Sequence, residues 1–240
     1  TAFFYLVRYY RKNRDEIWDE INKSKTFATE SRKKIAKKLI SYAIPISFGS
    51  VVSALAGLID VVTVVNGLQK YGYDIVTANA KYGILSGKVD ILLAVPLSIN
   101  VAFSVALVPF ISAAIARHRK DEAISKITYS LKISSLIALP CTFGLFVLAT
   151  PIFKMIFPNA PEGAYLLQIE CWLLFFSVLS QTVTGALQGI GKLAVPGLAL
   201  LVGTVIKYVL NVVFIPMYGE VVPAVTSIIY SATAFIISSA

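Results

Sequence analysis

Between Ile91 and Ile115 the chain runs for 25 residues without a single charge. A helix needs about 20 predominantly apolar residues to cross the hydrocarbon core of a bilayer, and this stretch is one of six that qualify. The others are Leu39–Val65 (one charge, Asp60), Ile133–Ile152, Cys171–Ile190, Leu193–Tyr218 (one charge, Lys207) and Val221–Ala240. Six such runs in succession lack the polar face that a helix in water presents. Composition agrees: 57% of the residues are apolar and only 15% are charged, against roughly 25% charged in ordinary soluble domains. The sequence therefore predicts an all-α fold, a polytopic membrane helix bundle over residues 39–240, preceded by a basic segment over residues 1–38.

A formal charge of +9 usually suggests a nucleic-acid partner, so the location of the charge matters. Residues 1–38 hold eleven Lys/Arg and five Asp/Glu, a net of +6. Such a segment either fixes topology and rests on anionic membrane lipids, or binds a nucleic acid or a regulator. Its last part, Arg32–Lys38 (RKKIAKK), runs straight into the first span, which favours membrane lipids as partner and no nucleic acid. With residues 1–38 placed in the cytoplasm and the spans alternating, 17 Lys/Arg fall on cytoplasmic stretches and four outside. That bias follows the positive-inside rule and predicts a multi-pass protein of the cytoplasmic membrane. Ala2–Val7 reads as the tail of an earlier span, and the chain as a piece of a longer protein. The two cysteines, Cys141 and Cys171, have no CxxC spacing and exclude a disulfide scaffold.

Ionisable side chains are expensive inside a span and usually face a cavity or a partner. Lys207 sits near the middle of the fifth run, and Asp60 in the outer part of the first. Helical spacing extends both into stripes. Ser50, Ser53, Gly57 and Asp60 share one face of the first span, and Ser177, Gln181, Thr184 and Gln188 one face of the fourth. Thr204, Lys207 and Asn211 align on the fifth, while Asn100 and Ser104 pair on the second. Such stripes form either a hydrated cavity or interhelical hydrogen-bond seams, the latter helped by small residues such as Gly185 and Gly189. Prolines at 45, 96, 109, 140, 151, 196, 216 and 223 predict kinks, a common feature of transporters.

No HExxH, GxSxG, Walker loop or paired-carboxylate motif is present. The one histidine, His118, lies in a basic loop (RHRKDE) without an adjacent ligand partner. The expectation is a protein that is not an enzyme, with no catalytic residue, cofactor or metal site.

The ordered set of segments carries a resemblance. KKLISYAIPISFGSVVSALAGLID (Lys37–Asp60) follows the basic linker, then YGILSGKVDILLAVPLSINVAFSVALVPFISAAIA (Tyr82–Ala116), Leu139–Pro140, LQGIGK…P (Leu187–Pro196) and GTVIKYVLN (Gly203–Asn211). In this order they resemble the carboxy-terminal half of the multidrug/oligosaccharidyl-lipid/polysaccharide exporter superfamily, in the branch of stage V sporulation protein B and related polysaccharide flippases. The resemblance implies that the six spans form most of one lobe of a two-lobe transporter whose other partner is a missing amino-terminal lobe. It implies a flippase that moves lipid-linked oligosaccharide or polysaccharide precursors by alternating access, for cell-envelope or spore-cortex biosynthesis. The headgroup of such a lipid needs a polar, preferably cationic cavity. Lys207, Asn211, Asp60, Gln181, Gln188 and Asn100 are candidates for its wall, with Lys88 and Asp90. In the lipid II flippase branch a cavity arginine begins the second helix of this lobe. Here that place falls at about Asp90, two residues after Lys88, which argues against lipid II.

Two other functions compete. A multidrug or cation antiporter of the same superfamily needs buried carboxylates, of which Asp60 is the candidate. A non-transporting membrane scaffold in envelope assembly predicts that the stripe residues tolerate substitution.

Overall fold

The computed structural model describes residues 8–11, 13–23 and 31–239. Ala2–Val7, expected to end a preceding span, lie outside them. Every regular element among the described residues is helical. The chain divides into two compact units, Thr1–Ala43 and Ile44–Ala240. A short helix α1 (Arg14–Lys23) belongs to the first, with Asp15 and Glu16 in its opening turn, where acidic side chains complement the helix dipole.

The long helix α2 spans Arg32–Tyr71. After it come α3 (Ile75–Ile84), a π-helical turn (Leu85–Val89) and α4 (Asp90–Ala116). The remaining helices are α5 (Lys120–Ile156), α6 (Gly163–Ile190), α7 (Ala194–Tyr218) and α8 (Val221–Ser239). Six helical stretches, with α3 to α4 counted as one, are long and apolar enough to cross a membrane. Each coincides with one of the six predicted runs to within a residue or extends past it. The 37 residues of α5 measure about 55 Å at 1.5 Å per residue, so its charged first turns stand clear of a hydrocarbon core about 30 Å thick.

Between the first two apolar runs, most of residues 66–90 are helical. Asp74 starts α3 as its N-cap: its carboxylate accepts the amides of Val76 (3.1 Å) and Thr77 (3.3 Å). Hydrogen bonds from Thr77 hold the Asp74 carboxyl below the usual carboxylate range. Lys81 forms an ion pair with Glu220, and Lys88 lies 5.6 Å from the Phe157 ring centroid. Both lysines therefore sit on a helix without facing lipid unpartnered.

Pro45, Pro96, Pro109, Pro140, Pro151 and Pro216 lie inside continuous helices. Membrane helices tolerate such interruptions because neighbouring groups satisfy the freed backbone. The pronounced irregularity is the π turn at Leu85–Val89, which contains no proline.

Helix α6 is the hub, packed along α4, α5 and α8, while α7 packs along α8. Leu167, Cys171, Leu174 and Val178 line its inner face at helical spacing and meet Leu93 and Phe153 in the main core. Two glycines set the α4–α6 distance. A Cβ at Gly185 would stand 2.6 Å from the Ser104 carbonyl oxygen, and one at Gly189 2.8 Å from Ile111 Cβ. The polarity is inverted relative to a soluble protein. Leu58, Val105, Leu136 and Val147 are exposed, whereas Asn100, Ser134, Glu170, Lys207 and Asn211 are buried. Lipid contact explains that pattern and water does not.

Candidate functional site

Two polar features are built into this bundle. The first is a charged network on α2, α7 and α8. The Lys207 ammonium donates to Asp60 Oδ2 at 2.6 Å. Asn211, one turn further along α7, donates through Nδ2 to Asp60 Oδ1 (3.3 Å) and Thr63 Oγ1 (3.1 Å). Its Oδ1 accepts from the Thr226 hydroxyl at 2.7 Å. Three helices thus close a continuous set of bonds in which both charges are met, as apolar surroundings require. The Lys207 side chain is 8% exposed and that of Asp60 22%.

The second feature is a cavity of about 360 Å³. Ser53 of α2, Ser104 of α4, and Tyr230 and Ser231 of α8 contribute to its wall. Ser177, Gln181, Thr184 and Gln188, the whole predicted stripe of the fourth span, supply the α6 side. One hydrogen bond, Ser177 Oγ to Ser231 Oγ at 3.0 Å, ties α6 to α8 there. Hydroxyls and amides dominate the polar part of this wall; Val101, Val105, Leu200 and Ala234 supply apolar patches. Most of the wall area is apolar, and its interspersed hydroxyl and amide groups can hydrogen-bond a ligand that carries hydroxyl groups.

With this geometry in hand, comparison with known proteins is informative. Residues 45–213, well over half of the chain, match MatE. The chain belongs to the MatE family. It is 29% identical over 212 residues to the uncharacterized membrane protein YabM of Bacillus subtilis, covering 88% of this chain and 38% of that one. It is 28% identical over 218 residues to the lipid II flippase MurJ of the same organism, covering 88% and 40%. Its fold is similar to that of a MOP superfamily transporter from Pyrococcus furiosus (TM-score 0.67, 20% identity, 82% of this chain and 43% of that one). That transporter is described as having a binding pocket of reverse polarity. An outward-facing multidrug resistance MATE transporter is similar as well (TM-score 0.66, 19% identity, 82% and 43%). The chain spans about two fifths of the length of these relatives. Six membrane-length helices and the MatE match make it part of a multi-pass membrane protein of a transporter family.

The predicted site residues of this MatE chain divide among five places. Gln181 and Gln188 line the cavity. Lys207, Asn211 and Asp60 form the charged network and are absent from the cavity wall. Asn100 is absent from it too, because its side chain locks three helices together. Its Nδ2 donates to Gln181 Oε1 and the Val178 carbonyl, both at 3.0 Å, and its Oδ1 accepts from Ser134 at 3.2 Å. Ser134 also meets Thr182 at 2.7 Å. This is the seam reading of the second stripe. Lys88 belongs to the π turn, against Phe157 and away from the cavity wall. Asp90 opens α4 with an exposed side, within electrostatic reach of Asp60 and Lys207.

Several polar residues of these networks were not anticipated. Glu170 of α6 is 2% exposed, its Oε2 has no hydrogen-bond partner, and it interacts electrostatically with Asp90, Lys207 and Asp60. Its neighbour Cys171 begins a charge-free run, and delimiting spans by their charges excluded it. Thr226 and Tyr230 stand four apart on α8, as do Ser227 and Ser231. That polar spacing was a signal in the sixth run.

Proposed function

We propose that this chain is one lobe of a flippase that moves lipid-linked oligosaccharide or polysaccharide precursors across the cytoplasmic membrane by alternating access. The observation that carries this reading is the cavity, whose polar wall is made of hydroxyl and amide groups from four helices. Sugar hydroxyls both donate and accept, and so do serine, threonine and glutamine side chains. A second lobe completes the transporter and supplies the other half of the path, consistent with relatives more than twice as long as this chain. Residues 1–38 lie on the cytoplasmic side and rest on anionic lipid.

The charges bear on the substrate branch. The flippase relative is named for lipid II, but the place where the resemblance implies a cation falls at about Asp90, a carboxylate that lies outside the cavity wall here. We therefore place the chain with the sporulation-type or capsule-type polysaccharide flippases. Cation antiport is the second reading: Asp60, the carboxylate first assigned to it, is engaged by Lys207, while Glu170 is a buried carboxylate with one unpartnered oxygen.

Proteoliposomes of the full-length protein with fluorescent lipid-linked sugars test the reading. Flipping that is lost in Gln181→Ala/Gln188→Ala supports it. Transport of a cationic dye without lipid flipping overturns it.

A further inference from the structure

The cavity wall carries no charged side chain, although the Lys207 ammonium lies over the ring of one wall residue. The residue that belongs to both environments is Tyr230. Its side chain forms part of the wall, and the Lys207 ammonium stands over its ring, 5.6 Å from the centroid. Two further features hold that arrangement. A Cβ at Gly203 would lie 2.9 Å from Tyr230 Cδ2, so glycine is what lets the ring seat against α7. The ammonium is also bonded to Asp60 at 2.6 Å.

We infer that Tyr230 is a specificity-determining residue: together with Asp60 it withholds the Lys207 charge from the cavity, which consequently accepts the uncharged, polyhydroxylated part of a ligand and rejects an anionic group there. The physical basis is compensation on two sides. Asp60 neutralises the ammonium directly, and the π face of the ring is drawn to the same cation. An anion in the cavity therefore meets a neutral ion pair behind an aromatic ring, and gains little for the hydration it gives up. A sugar loses nothing comparable, because the wall returns its hydrogen bonds. The other carboxylates near Lys207, Asp90 and Glu170, are also absent from the wall, so they place no charge on it. This inference rests on the flippase reading and specifies which portion of the substrate the cavity holds.

The test is equilibrium binding to the full-length protein in nanodiscs, with two probes: a short-chain alkyl disaccharide, and the same compound carrying a phosphate on its terminal sugar. The wild type and Tyr230→Phe are expected to prefer the neutral probe. In Asp60→Asn/Tyr230→Ala that preference should fall by about tenfold or more, the low end of the effect of one desolvated charge. Adding Lys207→Met should bring the preference back. Tyr230→Leu/Asp60→Asn, which keeps apolar volume in the wall, repeats the measurement in a more conservative background. A wild type that prefers the phosphorylated probe, or double variants that keep the wild-type ratio, would overturn the inference. Flipping assays separate the two claims. Intact flipping with an unchanged ratio in both double variants removes only the role of Tyr230, whereas a wild-type protein that flips no lipid-linked sugar removes the proposed function.

Discussion

Lys207 and Asp60, 147 positions apart in the chain, meet at 2.6 Å between α7 and α2. The pair brings two charges into a bundle whose outer face is apolar, and Asn211, Thr63 and Thr226 complete it. Removing one partner of a buried ion pair leaves the other uncompensated, at roughly 3–5 kcal/mol. Partial exposure of Asp60 (22%) places Lys207→Met at the low end of that range. Thermal unfolding in nanodiscs should show a large drop for Lys207→Met and a substantial recovery in Lys207→Met/Asp60→Asn. Equal drops in the single and double variants would deny the pair its role.

The α4–α6 contact depends on two glycines. Gly185→Ala forces a Cβ to within 2.6 Å of the Ser104 carbonyl oxygen, and overpacking of this kind costs typically about 1–3 kcal/mol. Gly57→Ala, with open space around its Cβ, is the control. A lower melting temperature is expected for the first substitution and no decrease for the second. The reverse order would mean that α4 and α6 pack differently.

Glu170 is buried with one carboxyl oxygen lacking a partner. A neutral side chain of the same shape loses nothing that this oxygen supplies. Glu170→Gln should therefore match or exceed the wild-type melting temperature near neutral pH. A clear decrease would reveal an essential interaction of the acid.

Asp74 caps α3 outside the spans, and hydrogen bonds from Thr77 and Val76 depress its pKa. For a depressed carboxyl the stabilisation is present above the unfolded-state pKa and is lost as pH falls through the folded-state value. Hydrogen exchange at the Val76 and Thr77 amides should be faster in Asp74→Ala than in the wild type at neutral pH. The difference should vanish in acid below the carboxylate range. A difference that persists there would show that capping does not depend on the ionised carboxylate.

How much of this was legible in the sequence depended on range. The spans were readable because the apolar runs are local, and the Ser177–Gln188 stripe because helical spacing alone aligns its members. Local pattern did not disclose that Asp60 and Lys207 pair with each other, since that contact requires α2 and α7 to be neighbours. It also could not separate Asn100, which ties helices together, from Gln181, which lines the cavity and accepts from Asn100. Both are polar residues on helical faces, and only the packing of α4 against α5 and α6 distinguishes them. Lys81 finds its counter-charge in Glu220, 139 residues away, a compensation invisible in the local sequence.

The central claim is that the hydroxyl- and amide-lined cavity carries lipid-linked sugar. Blocking it is the most direct test. Thr184→Trp projects a large side chain into a space of about 360 Å³, and flipping of a fluorescent lipid-linked oligosaccharide by the full-length protein in proteoliposomes is then measured beside the wild type. The expected result is robust flipping by the wild type and its loss in the variant, with the variant still folded by thermal unfolding. Undiminished flipping through the blocked cavity would contradict it.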